Sequence, residues 1–267
     1  MRVTSFASGS SGNCVFAGSE NTHILIDAGI SAKKIENGLK ELELTGKDLN
    51  GILVTHEHID HISGIGVMAR RYQVPIYATR GTKNAILNAK SVGKIEEDLI
   101  QEIAPEQDFF IGDLVLNATP IWHDAAEPVC YTVKKGKKKL AVATDLGDYN
   151  EHIVEKLRDS DILYIEANHD VKMLEVGPYP YYLKQRILGR NGHLSNERAG
   201  QFIEQLWNDK LEHIFLGHLS KENNFEELAY ETVKLELENS SVGKRVKEVP
   251  IQVARRDCLS ELIYINE

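Results

Sequence analysis

The sequence predicts an α/β protein in which two β-sheets pack face to face with helices on the outside. Three observations predict it. The chain opens with short apolar runs joined by tight turns, the pattern of antiparallel hairpins. From Ser31 onward apolar strands alternate with amphipathic helical stretches, which calls for a layered sheet-and-helix architecture. Several of the apolar runs stop at a His or an Asp, so side chains from neighbouring strands can meet along one sheet edge.

The elements follow in order. Val3–Ala7, Cys14–Ala17 and His23–Asp27 read as strands, separated by the breaker cluster Ser8-Gly9-Ser10-Ser11-Gly12-Asn13. Ser31–Leu42 reads as a helix and Gly51–Thr55 as a strand. Ser63 is the expected cap of a helix running to about Tyr72. Pro75–Ala78 reads as a strand and Thr82–Asn88 as a helix, then Leu114–Ile121 and Val129–Val133 as strands. Lys134–Lys139 is the expected hairpin turn before strand Leu140–Thr144. Helix Asn150–Arg158 and strand Asp161–Glu166 come next. Amphipathic helices follow near Pro180–Leu188 and Asn196–Asn208. Strand Glu212–Leu216, helix Phe225–Leu237 and strands near Ile251–Val253 and Leu262–Ile265 complete the chain.

With 267 residues, 42% of them hydrophobic and 27% charged, the composition is that of an ordinary globular protein. No Pro/Gly/Ser-rich linker and no repeat divides it, so residues 1–267 are expected to form a single domain. The three cysteines, Cys14, Cys130 and Cys258, are scattered and odd in number. They suggest neither a disulfide framework nor a thiolate zinc site. The N-terminus lacks the apolar core of a signal peptide, and no apolar run approaches the roughly 18 residues that span a bilayer. A soluble cytoplasmic protein without membrane partners is expected. The net charge of −9 disfavours nonspecific nucleic-acid binding, although bound cations would reset the field at a site.

The chemistry concentrates in Thr55-His56-Glu57-His58-Ile59-Asp60-His61, directly after the apolar run Gly51-Ile52-Leu53-Val54. Imidazole and carboxylate together suit zinc, manganese or iron. His56 and His58 are two apart and share a face in extended chain. Asp60 and His61 sit at a helix entry and aim elsewhere, so one ion per pair is a natural reading. Further ligands must come from distant segments. His123 follows Thr119-Pro120-Ile121-Trp122, Asp145 follows Ala141-Val142-Ala143-Thr144, and His218 follows Ile214-Phe215-Leu216-Gly217.

This ordered set, with Asp27 ahead of it, resembles the motif series of the metallo-β-lactamase superfamily over about four fifths of the chain. The resemblance implies a four-layer αββα sandwich of two mixed sheets flanked by helices, and a hydrolase that uses two divalent metal ions. It implies His56, His58 and His123 on one ion, Asp60, His61 and His218 on the other, and Asp145 bridging. Asp27 would steady the ligands from behind. It has a plainer reading as a turn residue. His58 stands where redox di-iron members carry Glu, which disfavours oxygen or nitric oxide reduction.

Gly192-His193-Leu194-Ser195, about two dozen residues before Leu216-Gly217-His218, is similar to ribonuclease Z and related nucleases of this fold. There a histidine just before a helix donates a proton during phosphodiester cleavage. The long arm that docks a tRNA elbow is missing. The strings Ser8–Asn13, Glu166-Ala167-Asn168-His169 and Gly192–Asn196 resemble the YycJ (WalJ) branch, which is associated with exonuclease activity on DNA. The resemblance therefore implies a 5′-to-3′ exonuclease on duplex DNA, with DNA favoured over RNA. A metal-bridging hydroxide would be the nucleophile, with Asp60 and His193 acting in the chemistry. An alternative is hydrolysis of a small ester, thioester or lactone at the same metals.

Other features have two readings each. His193 is either a proton donor or a structural neighbour of a helix cap. The Ser8–Asn13 turn offers phosphate donors or simply needs glycine. The lysines between Lys134 and Lys139 meet a DNA backbone or form a solvated hairpin tip. His169 follows a strand and reads as structural more than functional. The oligomeric state is not legible.

Overall fold

The computed structural model describes residues 1–266. The expected architecture is present: two mixed seven-stranded sheets flanked by helices, in strand orders β14-β1-β2-β3-β4-β5-β6 and β13-β12-β11-β10-β9-β8-β7, with the ranges given below. The described residues fall into two compact units. The first comprises Met1–Pro120, Ala125–Lys137 and the residues from Arg255 on; the second comprises Ile121–Asp124 and Lys138–Ala254.

In the first unit, β1 (Arg2–Ala7), β2 (Cys14–Gly18) and β3 (His23–Ile26) form antiparallel pairs. All of β2 and β3 is buried, as expected of a sheet covered on both faces. Helix α1 (Ala32–Glu41) then leads to β4 (Gly51–Leu53), parallel to β3. Ser31 caps α1 by accepting from the Lys34 amide, and Ala32, Ile35, Gly38 and Leu39 form its buried stripe. Gly38 is needed there, because a methyl group would fall 2.7 Å from the Phe6 ring.

Helices α2 (Ile59–Ile62) and α3 (Ile65–Tyr72) precede β5 (Ile76–Ala78), and α4 (Arg80–Asn88) precedes β6 (Ile100–Glu102). Ser63 is the C-cap of α2 and not the N-cap of the helix that runs to Tyr72, which is Gly64. Ser63 is itself helical (φ −56°, ψ −30°), and the break falls at Gly64, where a Cβ would meet the Ile30 carbonyl oxygen at 2.2 Å. An antiparallel meander follows: β7 (Asp108–Ile111), β8 (Leu114–Pro120) and β9 (Val129–Lys135). It packs on the first sheet through the stacked rings of Tyr77 and Phe109 and through the Tyr131 hydroxyl, which donates to the Val54 carbonyl at 2.9 Å.

The second unit is built on four parallel strands, β10 (Lys138–Ala143), β11 (Ile162–Glu166), β12 (His213–Gly217) and β13 (Ile251–Val253). Helices α5 (Glu151–Leu157), α6 (Val171–Val176), α7 (Tyr181–Leu188), α8 (Asn196–Leu206) and α9 (Glu226–Glu238) connect them. The chain then returns to the first unit with β14 (Ile263–Tyr264), which pairs with β1.

The lysine-rich turn is shorter than expected. Strands run to Lys135 and resume at Lys138, with Gly136 in the left-handed conformation (φ 56°). Lys135 pairs with Asp113, Lys138 with Asp161 and Glu212, and the Lys139 ammonium donates to two carbonyls. Three of the five lysines therefore serve internal structure. Strands β6 and β7 lie outside the expected elements because they are short and mostly polar or exposed: Gln101, Glu102, Asp108 and Phe110 face solvent. Among the described residues no helix is long and apolar enough to cross a membrane.

Candidate metal centre

In the first unit Ile26 and Leu53 are register partners in parallel β3 and β4, so the loops leaving these strands start side by side. Asp27, the residue after β3, is buried with a left-handed backbone (φ 61°). Its carboxylate accepts hydrogen bonds from the Thr55 amide (2.8 Å), the Thr55 hydroxyl (2.8 Å) and His61 Nδ1 (2.7 Å). The Thr55 hydroxyl gives its proton to Asp27, so at 3.0 Å it accepts from His56 Nδ1. Both imidazoles are thereby oriented with Nε2 left to act as an acceptor, and Asn13 Nδ2 lies 3.1 Å from His61 Nε2.

The His56 ring stands 4.1 Å from that of His61 and 4.5 Å from that of His58, between centroids. Asp60 Oδ2 is 3.5 Å from His61 Nε2. Gly29 makes this closeness possible. A Cβ there would fall 1.6 Å from the Asp60 carbonyl oxygen, in a loop clamped by Asn13 N–H to Asp60 O and Ala28 N–H to His61 O, each 2.8 Å. The first unit thus brings together Asp27, His56, His58, Asp60 and His61.

In the second unit the parallel register aligns the carboxyl ends of β10, β11 and β12, and Glu166 pairs with Gly217. Asp145, Glu166 and His218 emerge at that one edge, where open parallel sheets place their ligands. Asp145 (φ 58°) and His218 (φ 54°) are left-handed, like Asp27. Such conformations in non-glycine residues are costly and gather at functional sites.

Glu166, absent from the expected site, is its centre of hydrogen bonding. Its side chain is fully buried and accepts from His193 Nδ1 (2.7 Å), His218 Nδ1 (2.9 Å) and the amides of Leu146 (2.9 Å) and Leu194 (3.3 Å). Burial pushes the carboxyl up, but the charge and hydrogen bonds of His193, with those of His218, outweigh it and hold Glu166 at about 2. His123 donates from Nδ1 to the Gly192 carbonyl (3.2 Å), and its Nε2 lies 3.6 Å from Asp145 Oδ1. Burial, only partly opposed by Asp145, lowers the His123 pKa. The second unit thus brings together His123, Asp145, His193 and His218, with ligand atoms of Asp145, Glu166, His193 and His218 all within 4.8 Å of one another. One sequence signal pointed to Glu166: like Asp145 and His218, it terminates an apolar strand.

The residues fit a divalent cation. His56, His61, His123 and His218 each have Nδ1 engaged by an oxygen, which fixes the tautomer that offers Nε2. This is the outer hydrogen bonding typical of metal-binding histidines. With Asp60 in the first unit and Asp145 in the second, each unit carries its own nitrogen and oxygen donors of the kind suited to zinc, manganese or iron.

Residues 22–214 match the β-lactamase superfamily domain. The chain is 40% identical over 251 residues to the exodeoxyribonuclease YycJ of Bacillus anthracis, covering 91% of each chain. It is also 40% identical over 245 residues to the exodeoxyribonuclease WalJ of Streptococcus pneumoniae, covering 91% of this chain and 90% of that one. Among solved structures, the metallo-β-lactamase fold protein YhfI of Bacillus subtilis superposes with a TM-score of 0.69 at 16% identity, covering 97% of this chain and 98% of the other. By motif, fold and these similarities, the chain belongs to the metallo-β-lactamase-fold proteins of the β-lactamase superfamily.

Proposed function

We propose that this protein is a metal-dependent 5′-to-3′ exonuclease on duplex DNA, with a dinuclear centre held by His56, His58, Asp60, His61, His123, Asp145 and His218. The observation that carries the reading is the Glu166–His193 pair beside Asp145 and His218. The two relatives named exodeoxyribonucleases support it. Divalent ions held by these residues would acidify a water for attack and neutralise charge on the phosphate.

The chain's own part is positioning and proton delivery. Asp27 and Thr55 hold the His56 and His61 rings from behind. Glu166 holds His193 through Nδ1 and leaves the Nε2 edge to meet the departing oxygen. Its ionised carboxylate offsets the positive charge of a doubly protonated ring, so His193 can give its Nε2 proton to the leaving alkoxide. Asp60 acts in the chemistry as a ligand that sets the charge at the reacting centre.

The test is incubation of metal-loaded protein with end-labelled duplex DNA, with manganese, zinc and iron compared. Mononucleotides should appear from the 5′ end, and His193→Ala should slow their release by on the order of 10²-fold or more. Failure to release nucleotides with any metal, or full activity in His193→Ala, would sink the reading.

A further inference from the structure

The second unit contains a cavity of about 410 Å³, within the usual range of small-molecule sites. Its wall includes Asp148, His169, Arg190, His193, Ser195 and Arg198. His193, the proposed proton donor, is part of this wall, so an occupant lies on the side of the leaving oxygen.

The polar groups define the occupant. Arg190 lies with its guanidinium 3.7 Å over the Trp122 ring. Stacking fixes the plane and leaves the N–H fork available for an anion. Among the described residues Arg190 has no carboxylate partner, whereas Arg198 is paired with Asp148 at 2.8 Å. The cavity thus retains one oriented, uncompensated cation. His169 supplies the second feature. It is 1% exposed, and its Nε2 has no hydrogen-bond partner among the described residues. Asn168 donates its amide N–H to the His218 carbonyl, so its Oδ1 faces His169 and His169 Nδ1 donates to it, at 3.3 Å. His169 Nε2 is then a buried lone pair that calls for a donor. The His169 backbone is tied to the start of α8 by the Asn196 N–H to His169 O bond of 2.9 Å, which holds the ring in place. The occupant therefore carries an anion and, separately, an N–H or O–H.

We propose that the cavity holds the terminal nucleotide that departs in each cut, with its 5′-phosphate on Arg190 and an N–H or O–H of its nucleoside on His169. This rests on the exonuclease reading above and adds the ligand, its orientation and two residues. The orientation follows from chemistry. Water oxygen forms the new bond to phosphorus and releases its proton to solvent. The P–O3′ bond breaks, its electron pair stays on O3′, and His193 supplies the proton there. A residue leaving through O3′ takes its own 5′-phosphate with it. A residue leaving through O5′ from a 3′-hydroxyl end carries no phosphate, and Arg190 would have nothing to bind. Each cut also leaves a new 5′-phosphate on the shortened strand, so the product is again the end the cavity recognises.

The experiment has two readouts on metal-loaded protein. Calorimetric titration compares deoxyadenosine 5′-monophosphate with deoxyadenosine 3′-monophosphate. Steady-state cleavage compares duplexes with 5′-phosphate and 5′-hydroxyl ends. We expect at least tenfold tighter binding of the 5′-monophosphate and at least a tenfold higher kcat/KM for the phosphorylated end. Arg190→Gln should bring both ratios to within about twofold of unity, and Arg190→Lys should retain part of each. His169→Phe should weaken the 5′-monophosphate without altering the choice between ends. Equal binding of the two monophosphates, or an unchanged preference in Arg190→Gln, overturns the assignment. If neither duplex is cut, the exonuclease reading fails, and the titration with its Arg190→Gln arm still decides what the cavity binds.

Discussion

At the scale of single residues, Glu166 accepts from four donors in the candidate site. Replacing it by Gln keeps the volume but turns one acceptor oxygen into a donor facing two ring N–H groups. Glu166→Gln should lower kcat by on the order of 10²-fold with a much smaller change in KM, because His193 loses its orientation. Circular dichroism should match the parent; a KM effect as large as the kcat effect would contradict a proton-delivery role. A second carboxylate acts on stability alone. Partial burial pushes Asp113 up, but hydrogen bonds from Thr22, Ser19 and Lys135 outweigh it and hold it at about 2. An unfolded aspartate titrates near about 3.9, so Asp113 stabilises the fold above that pH and loses its effect as pH falls toward about 2. Asp113→Asn should cost about 0.5–1 kcal/mol at pH 7, the figure reduced for solvent screening. Urea melts at pH 7, 4 and 3 should show that gap narrowing; a constant gap would refute it. Residues were legible in the sequence where they cluster. His56, His58, Asp60 and His61 announce themselves together, and the strand-ending His123, Asp145 and His218 follow from them. Glu166 is the last residue of β11 and His169 an isolated residue beyond it, and only the hydrogen-bond network distinguishes them from ordinary core polar groups.

At the scale of elements, the site depends on where strands stop. Parallel register brings Ile26 level with Leu53, and Glu166 level with Gly217, so the following loops leave the sheets together. The apolar runs made these strands legible. The edge strands β6 and β7 were not, because a strand with one solvated face and a charged sequence looks like loop. The lysine-rich turn was read too long because charge suggested exposure, whereas Asp113, Asp161 and Glu212 draw the lysines into the ladder. Loop closure is tightest at Gly29. Gly29→Ala would drive a methyl group into the Asp60 carbonyl and force apart the loop carrying Asp60 and His61. It should destabilise by about 2 kcal/mol or more and reduce metal content. Thermal melts and elemental analysis would check this, and a variant with the parent's melting point and metal load would rule it out.

At the scale of the whole molecule, metal loading and stability are linked. A ligand that binds the folded chain at 1,000 times its dissociation constant adds about 4.1 kcal/mol. For a chain of this length each kcal/mol moves Tm by about 2–4 °C. Exhaustive chelation should therefore lower Tm by roughly 5–15 °C, and manganese or zinc should restore it. Scanning calorimetry checks this, and an unchanged Tm would argue against a bound cation. The net charge of −9 gives the molecule no general attraction for DNA, so the proposed recognition of a DNA end would rest on local cations such as Arg190.

The left-handed backbone at Asp27, Asp145 and His218 has an evolutionary consequence. Each of these positions would relax if the side chain were removed, since glycine enters that region of conformational space freely. A library screened only for heat resistance in the presence of a chelator, where no bound cation adds stability, should enrich Asp145→Gly. The hardened protein would be inert, the screen having discarded the group for which the backbone is bent.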